Sequence, residues 1–273
     1  MGVLNVTPDS FYDGGRYGDA EQAKAHIDAL IRAGADCVDI GGESTRPGAQ
    51  EISAQEQVRR IEAAVRYAVE RGVLVSIDTT LPSVAEHMLA LGAHLINDIS
   101  CLSQPELARV CARFGAPLVL MHSRGPMSQQ RGFSVYPEDG YGDVVEDVLT
   151  EWRSARDRAV ALGLDRSAIY CDPGLGFGKS ARQSLALLRG LARFKSENVP
   201  LVVGPSRKSF LAVAAGADVR ALPAEGRLPA TIAACLLAVE RGASVLRVHD
   251  VGEVAQALQV ARAVNLGLEA AHA

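Results

Sequence analysis

The sequence predicts an α/β chain: a (β/α)8 TIM barrel forming a single domain over residues 1–273. Three observations carry this. A short apolar run, a Gly/Pro/Ser loop and an amphipathic helix recur eight times along the chain. Five connections turn on a glycine just before the next strand, at Gly34, Gly72, Gly92, Gly115 and Gly242. The apolar runs also end on polar residues. Strand–helix alternation with short links implies parallel strands and right-handed crossovers. A prior of roughly 150 residues per domain would allow two domains, but α/β barrels of about 250 residues are single and no linker stands out. An open doubly wound sheet is the runner-up. It usually carries a glycine-rich turn after its first strand, where this chain has Thr7-Pro8-Asp9-Ser10.

Strand one covers Gly2 to Val6, and its helix runs from about Asp19 to Ala33 with Ala23, Ile27, Leu30 and Ile31 on one face. Strand two covers Asp36 to Gly41. Ser53 caps the next helix, with Glu56 completing a Ser-x-x-Glu box, and the helix stops at Gly72. Strand three covers Val73 to Asp78, and Pro82 opens its helix. Strand four covers His94 to Ile99, its helix about Pro105 to Phe114. Strand five covers Pro117 to His122 and leads into a long Gly/Pro loop. The longest helix runs from about Tyr141 to Leu162. Strand six covers Ala168 to Asp172, with a helix ending near Lys195. Strand seven covers Leu201 to Gly204. A helix at about Ala230 to Glu240 precedes strand eight, Ser244 to His249, and the last helix ends near Leu266.

A net charge of −4 and a pI near 5.9 argue against a broad nucleic-acid or anionic-membrane footprint. They leave room for a small anionic ligand held by local cations. Five cysteines without a C-x-x-C pair fit a reduced, cytoplasmic setting. The chain opens directly in Gly2-Val3-Leu4-Asn5 with no visible signal peptide, and no apolar run approaches the roughly 18 residues of a membrane helix.

The stretch Cys171-Asp172-Pro173-Gly174-Leu175-Gly176-Phe177-Gly178-Lys179 ends an apolar run on a carboxylate, and Pro173 then stops the ladder. Glycines at alternate positions predict a loose loop that another molecule approaches closely, with the Phe177 ring on a mobile support. The spacing fits neither a P-loop nor G-x-G-x-x-G.

Active sites of barrels lie at the carboxyl ends of the strands. Those ends read Asn5; Asp39 with Gly41 to Arg46; Asp78; Asn97; His122; Asp172; Ser206-Arg207-Lys208-Ser209; and Arg247 with His249. Parity puts Arg247 and His249 on one face, and Leu246 and Val248 on the other, toward the helices. Asp78, Asn97 and Asp172 suit the N–H edges of a flat, guanine-like heterocycle. Arg46, Lys208, Arg247 and His249 supply cations for phosphate or carboxylate, and Ser206 to Ser209 opens a helix with N–H groups for an anion. The expected site is bipolar, an acidic floor under a cationic rim. No H-E-x-x-H and no G-x-S-x-G occurs. A Schiff base on Lys208 reads less well than ligand binding, given its Ser and Arg neighbours.

With these residues in view, the chain resembles the dihydropteroate synthase family along nearly its whole length. The motifs are Asn5-Val6-Thr7-Pro8-Asp9-Ser10-Phe11, Asp39 to Gly48, Ser76-Ile77-Asp78-Thr79, Asn97-Asp98-Ile99, Met121-His122, Asp172 to Lys179, Ser206 to Ser209, and Arg247-Val248-His249-Asp250. The resemblance implies an enzyme that joins 6-hydroxymethyl-7,8-dihydropterin pyrophosphate to p-aminobenzoate, with Mg2+ assisting, as a homodimer and a target of sulfonamides. It implies that Asp78, Asn97, Asp172 and Lys208 hold the pterin. Asn5, Arg247 and His249 would hold the pyrophosphate, with Asn5 at the metal, and Val248 between the last two is counted among the substrate-binding residues. Phe11, Thr45 and Arg46 belong to mobile loops, and Phe177, Arg46 and Ser209 frame p-aminobenzoate. Asp172, Lys208, Arg247 and His249 are the expected catalytic set. The chain departs from the family pattern at Leu81, Pro205 and Ala230, and in a short loop from Ser123 to Gln130. The usual leading hairpin is also missing, which leaves two readings, an open barrel floor or a shortened chain. Two alternatives to the synthase remain: a pterin-binding methyltransferase module, and a catalytically silent pterin-binding paralogue.

Overall fold

The structure, a computed structural model, describes residues 1–7, 15–43, 52–125 and 134–266, with the side chains of the first helix described from residue 20. Eight strands alternate with helices as the sequence pattern requires. β1 (Gly2–Asn5), β2 (Cys37–Gly41), β3 (Leu74–Asp78), β4 (Leu95–Asp98), β5 (Leu118–Met121) and β6 (Ile169–Asp172) form one parallel sheet in sequential order. β7 (Val202–Val203) and β8 (Val245–Leu246) pair in parallel beside it. Two single bridges close the ring, Cys171 with Leu201 and Gly2 with Val248. Val3 N–H donates to the Val248 carbonyl at 3.1 Å, so β8 and β1 meet as barrel neighbours.

The helices are α1 (Gly15–Arg32), α2 (Ala54–Glu70), α3 (Pro82–Ala90), α4 (Glu106–Phe114), α5 (Val144–Ala161), α6 (Ala181–Gly190), α7 (Ser209–Ala214), α8 (Leu228–Glu240) and α9 (Val251–Leu266). None of the described helices is long and apolar enough to cross a membrane. Each glycine expected to turn the chain into the next strand has positive φ, from 62° at Gly115 to 104° at Gly242. Ser53 caps α2 through the Glu56 N–H, but the expected reciprocal box does not form. The Glu56 carboxylate instead takes Arg59 and Arg60, because charged guanidinium donors outcompete a backbone N–H. The sixth helix ends at Gly190 and continues as a 3-10 turn, Leu191–Glu197, and α7 is a short extra helix after β7.

Strand parity sorts the interior. Val38, Ile40, Val75, Ile77, Ile96, Leu118 and Leu120 belong to the large core between strands and helices. Trp152 of α5 is fully buried there, and its indole N–H donates to the Leu120 carbonyl at 3.1 Å. The alternate residues Cys37, Leu95, Val119 and Val202 form a separate cluster, with Met1, Tyr170 and Val245 packed against it. That cluster lies inside the barrel toward the amino ends of the strands, while Leu74 at the start of β3, on the same inward parity as Ser76, is 49% exposed. Above this cluster the inward positions become polar, and they supply the site.

Candidate functional site

The polar layer begins with Asp39, fully buried on β2. Its Oδ1 accepts from the Ser76 hydroxyl at 2.5 Å, and its Oδ2 from the Asn97 amide at 3.2 Å and Arg247 Nε at 2.6 Å. The other arm of the Arg247 guanidinium donates to Asp78 at 2.9 Å. Two strands thus deliver carboxylates to one arginine next to the strand that closes the ring, and a third delivers an amide to the first of those carboxylates. Burial raises the Asp78 pKa to about 7; Arg247 pulls it down, while the Asp39 and Asp98 carboxylates push it further up. One cation shared by two buried acids leaves Asp78 the less compensated. Asn5 lies across the gap at Gly41: a Cβ added there would sit 3.3 Å from the Asp78 Cβ and 3.6 Å from the Asn5 Oδ1.

The sequence reading placed Arg247 on a cationic rim. In the structure it reaches down into the acidic layer, because two desolvated carboxylates attract a guanidinium more strongly than water does. The two poles of the site therefore interlock in the ligand-free chain.

Asp172 at the end of β6 accepts the Gly174 N–H at 2.7 Å. Burial raises its pKa, opposed by Lys208, the Gly174 N–H, Arg247 and Lys179. Asp172 and Arg247 accordingly share one mouth. Lys208, the residue before α7, donates to the Leu175 carbonyl and lies 4.4 Å from the centre of the Phe177 ring. Burial lowers its pKa to about 7, against Asp172 and with Arg247. Ser209 opens α7 and donates to the Ser134 hydroxyl at 2.9 Å.

The loop after β6 is not loose. Every residue from Cys171 to Ser180 is buried, Phe177 included. Its glycines serve close approach instead. Gly174 has φ +67°, and a Cβ there would lie 1.9 Å from the His122 carbonyl oxygen. Gly174→Ala should therefore cost at least about 2 kcal/mol of stability, from left-handed strain plus a backbone clash that only movement of the loop can relieve. Urea unfolding of the variant checks this.

At the mouth of β8, His249 Nδ1 lies 3.0 Å from the Ser206 hydroxyl, which also accepts the His249 N–H at 3.2 Å. Burial lowers the His249 pKa to about 4, helped by Arg247 and Arg207, so the imidazole is neutral at pH 7 and not the expected cation. Arg207, at φ +60°, spans the same gap through a guanidinium pair with Asp250 (Nε to Oδ2, 2.9 Å). Its N–H donates to Thr231 at 3.0 Å, and its carbonyl accepts from Arg227 at 2.8 Å. Val248 does not face the site. Its side chain is in the helix-facing core and its N–H donates to the Met1 carbonyl, as strand parity dictates. Phe11, Thr45 and Arg46 lie outside the described residues.

Of the remaining expected residues, Asn5, Asp78, Asn97, Asp172, Phe177, Lys208, Ser209, Arg247 and His249 all stand at the carboxyl end of the barrel. Sequence reasoning placed Asp39 at a strand end without a partner and read Ser206 and Arg207 as the opening of a helix with N–H groups for an anion, whereas α7 starts only at Ser209 and the Ser206 and Arg207 side chains tie to His249 and Asp250. The signal was available for Asp39, which stands two positions before Gly41 on the inward face. Among the described residues no cluster of His, Cys, Asp or Glu could hold a metal ion by itself.

A family model described as pterin binding enzyme matches residues 1–249. The dihydropteroate synthase of Mycobacterium leprae is 43% identical over 262 residues, covering 95% of this chain and 91% of that protein. A probable bifunctional folylpolyglutamate synthase/dihydropteroate synthase of Haloferax volcanii is 40% identical over 264 residues, so the chain spans 30% of that longer protein and 96% of itself is covered. The dihydropteroate synthase of Xanthomonas albilineans has been solved with 4-aminobenzoic acid, at a TM-score of 0.88 and 39% identity, covering 97% of this chain and 92% of that one. It has also been solved with 7,8-dihydropteroate, at a TM-score of 0.84 and 37% identity, covering 97% and 93%. The same strand-end residues that converge in the fold lie within this similarity, and the chain belongs to the pterin-binding enzyme family.

Proposed function

We propose that the chain is a dihydropteroate synthase, which condenses 6-hydroxymethyl-7,8-dihydropterin pyrophosphate with p-aminobenzoate to give 7,8-dihydropteroate and pyrophosphate in folate biosynthesis. The observation that carries this reading is the meeting of Asp78, Asn97, Asp172 and Lys208 with Arg247 at one barrel mouth. Carboxylates and an amide read the N–H edge of the pterin, and the Lys208 ammonium donates to one of its acceptors. Arg247 and His249, with Ser206 behind the imidazole, meet the pyrophosphate. Binding a dianionic group raises the His249 pKa and restores its charge where it is needed. Phe177 and Ser209, with Arg46, Thr45 and Phe11 from the loops, complete the p-aminobenzoate side.

The chemistry asks little covalent work of the protein. The C–O bond to pyrophosphate lengthens, and the electron pair leaves with the phosphate. Arg247 stabilises that developing charge. The methylene left behind becomes electron-poor, and the nearby Asp172 oxygens favour it. The neutral aniline nitrogen then forms the C–N bond and loses its proton to solvent. Mg2+ fits only as a metal that enters with the phosphates: the half-buried Asn5 offers one amide oxygen, and a hard ion keeps water and phosphate oxygens for the rest. When bound, it would neutralise charge on the departing pyrophosphate.

The reading includes a cytoplasmic homodimer. Val260 and Val264, four apart on one face of α9, are 61% and 79% exposed, an apolar strip that a second copy would cover. Pyrophosphate release that requires both substrates and Mg2+ is the expected result. Pterin binding without release would favour the silent paralogue, and methyl transfer from a methyl-folate would favour the other alternative.

A further inference from the structure

Lys179 has no part in the mechanism above, yet it is among the largest fully buried side chains of the described residues. Its Nζ donates to the Phe177 carbonyl at 2.8 Å and the His122 carbonyl at 3.3 Å, and lies 2.9 Å from His122 Nδ1. Three acceptors match the three N–H donors of an ammonium. With Nδ1 accepting, the imidazole proton sits on Nε2 and donates to Glu151 at 2.9 Å. Burial lowers the His122 pKa to about 4, which keeps that ring neutral and in this tautomer. Glu151 also holds Arg124, whose guanidinium covers the Tyr141 ring at 3.7 Å, and the Tyr141 hydroxyl donates to the Gly178 carbonyl at 2.9 Å.

All these bonds converge on the loop after β6. The loop is held at Asp172 by the His122 N–H (2.9 Å), at Phe177 by Lys179 and at Gly178 by Tyr141. On its other side the same loop presents the Leu175 carbonyl and the Phe177 ring to Lys208. A buried ammonium is a poor way to stabilise a barrel, because a well-packed apolar residue of equal length usually does as well. What the ammonium adds here is direction, three fixed bonds that set the curvature of the loop.

We propose that Lys179 is a positioning residue: with His122 as its seat, it pins the loop from Gly174 to Gly178 to the end of β5 and so fixes the Leu175 carbonyl and the Phe177 ring against Lys208. The proposal rests on the synthase reading for the identity of the ligand, but not for the geometry. Lys179 touches no substrate and acts through the loop.

The test compares Lys179→Met with three further variants in the full chain. Lys179→Met should lower kcat/KM for the pterin pyrophosphate by about tenfold or more, while the Kd for inorganic pyrophosphate, held on the β8 side, changes less than about threefold by calorimetry. His122→Asn keeps an acceptor where Nδ1 stands and should stay within about threefold of the parent, whereas His122→Ala should fall to the level of Lys179→Met. The double variant Lys179→Met/His122→Ala should lose no more than about threefold beyond the worse single, because both remove one network. An unchanged kcat/KM in Lys179→Met overturns the proposal. So does a parallel loss of both ligands' affinity with no difference between His122→Asn and His122→Ala, the pattern of a merely structural lysine. If Lys179→Met fails to fold, the His122 pair decides alone. If the parent chain releases no pyrophosphate, the synthase reading fails; the calorimetric Kd for 6-hydroxymethyl-7,8-dihydropterin, compared across the same variants, then decides the positioning role.

Discussion

Arg247→Ala is expected to lower kcat/KM for the pterin pyrophosphate by about a hundredfold or more, the usual cost of removing a preorganised donor from a developing negative charge. The guanidinium does two jobs in the structure. Its Nε holds Asp39 at 2.6 Å, and its outer nitrogen holds Asp78 at 2.9 Å. The first bond is with a fully buried acid that also takes Ser76 and Asn97, and it keeps the side chain anchored. The second is with a residue the pterin needs, so ligand binding exchanges that bond for one to the heterocycle and frees the outer nitrogen for phosphate. The alanine variant leaves two buried carboxylates sharing no cation, which should cost about 3 kcal/mol of stability and raise the Asp78 pKa above its present value near 7. Arg247→Lys keeps the charge but cannot fork between Asp39 and Asp78, so it should recover stability better than rate. Steady-state kinetics with thermal melts on the same samples separate the two effects. An unchanged turnover in Arg247→Ala would exclude the arginine from the charge that develops on pyrophosphate.

The fold was legible because each βα unit repeats the same physical signature, an apolar run, a capped amphipathic helix and a glycine at its end. The strand-end residues were legible for the same reason: parity and the end of each apolar run place Asp78, Asn97, Asp172 and Arg247 without any knowledge of contacts. The misread parts depend on which charges meet in space. Sorting residues by sign put Arg247 on a rim, but its partners Asp39 and Asp78 stand 208 and 169 residues away and draw it inward. His249 was read as a cation from its residue type, while burial beside Arg247 and Arg207 makes it neutral. The glycines of the loop after β6 implied looseness. Their neighbours could not be seen in the sequence, and it is the His122 carbonyl that makes Gly174 a contact rather than a hinge. Lys179 was the harder case, since a lysine after Gly178 reads as solvated until the fold buries it.

The second large effect concerns Lys208. Lys208→Met should reduce kcat/KM by about a hundredfold, because it removes a charge-assisted donor from a desolvated site and leaves Asp172 with less to offset its burial. The pH profile separates this role from packing. Burial holds the Lys208 pKa near 7, so the free enzyme loses the ammonium as pH rises through 7, and kcat/KM should fall on that alkaline limb. Asp78, raised to about 7, is protonated below that pH and cannot accept two N–H groups, so kcat/KM should fall on the acid limb as well. The parent profile is then a narrow bell near neutrality. Burial lowers the Lys179 pKa to about 7 as well, so Lys208→Arg, which stays charged, should lose the Lys208 share of the alkaline limb and keep the Lys179 share, and Asp78→Asn should lose the acid limb. Stability carries the opposite sign for the lysine. Its folded pKa lies below the unfolded 10.5, so the penalty for burying the ammonium is full below pH 7 and disappears as pH rises from 7 toward 10.5. The parent should therefore gain stability relative to Lys208→Met over that alkaline range, the same range in which it loses activity. An alkaline limb of unchanged depth in Lys208→Arg and also in Lys208→Arg/Lys179→Met would assign it to a group other than these two lysines and remove Lys208 from the reacting site.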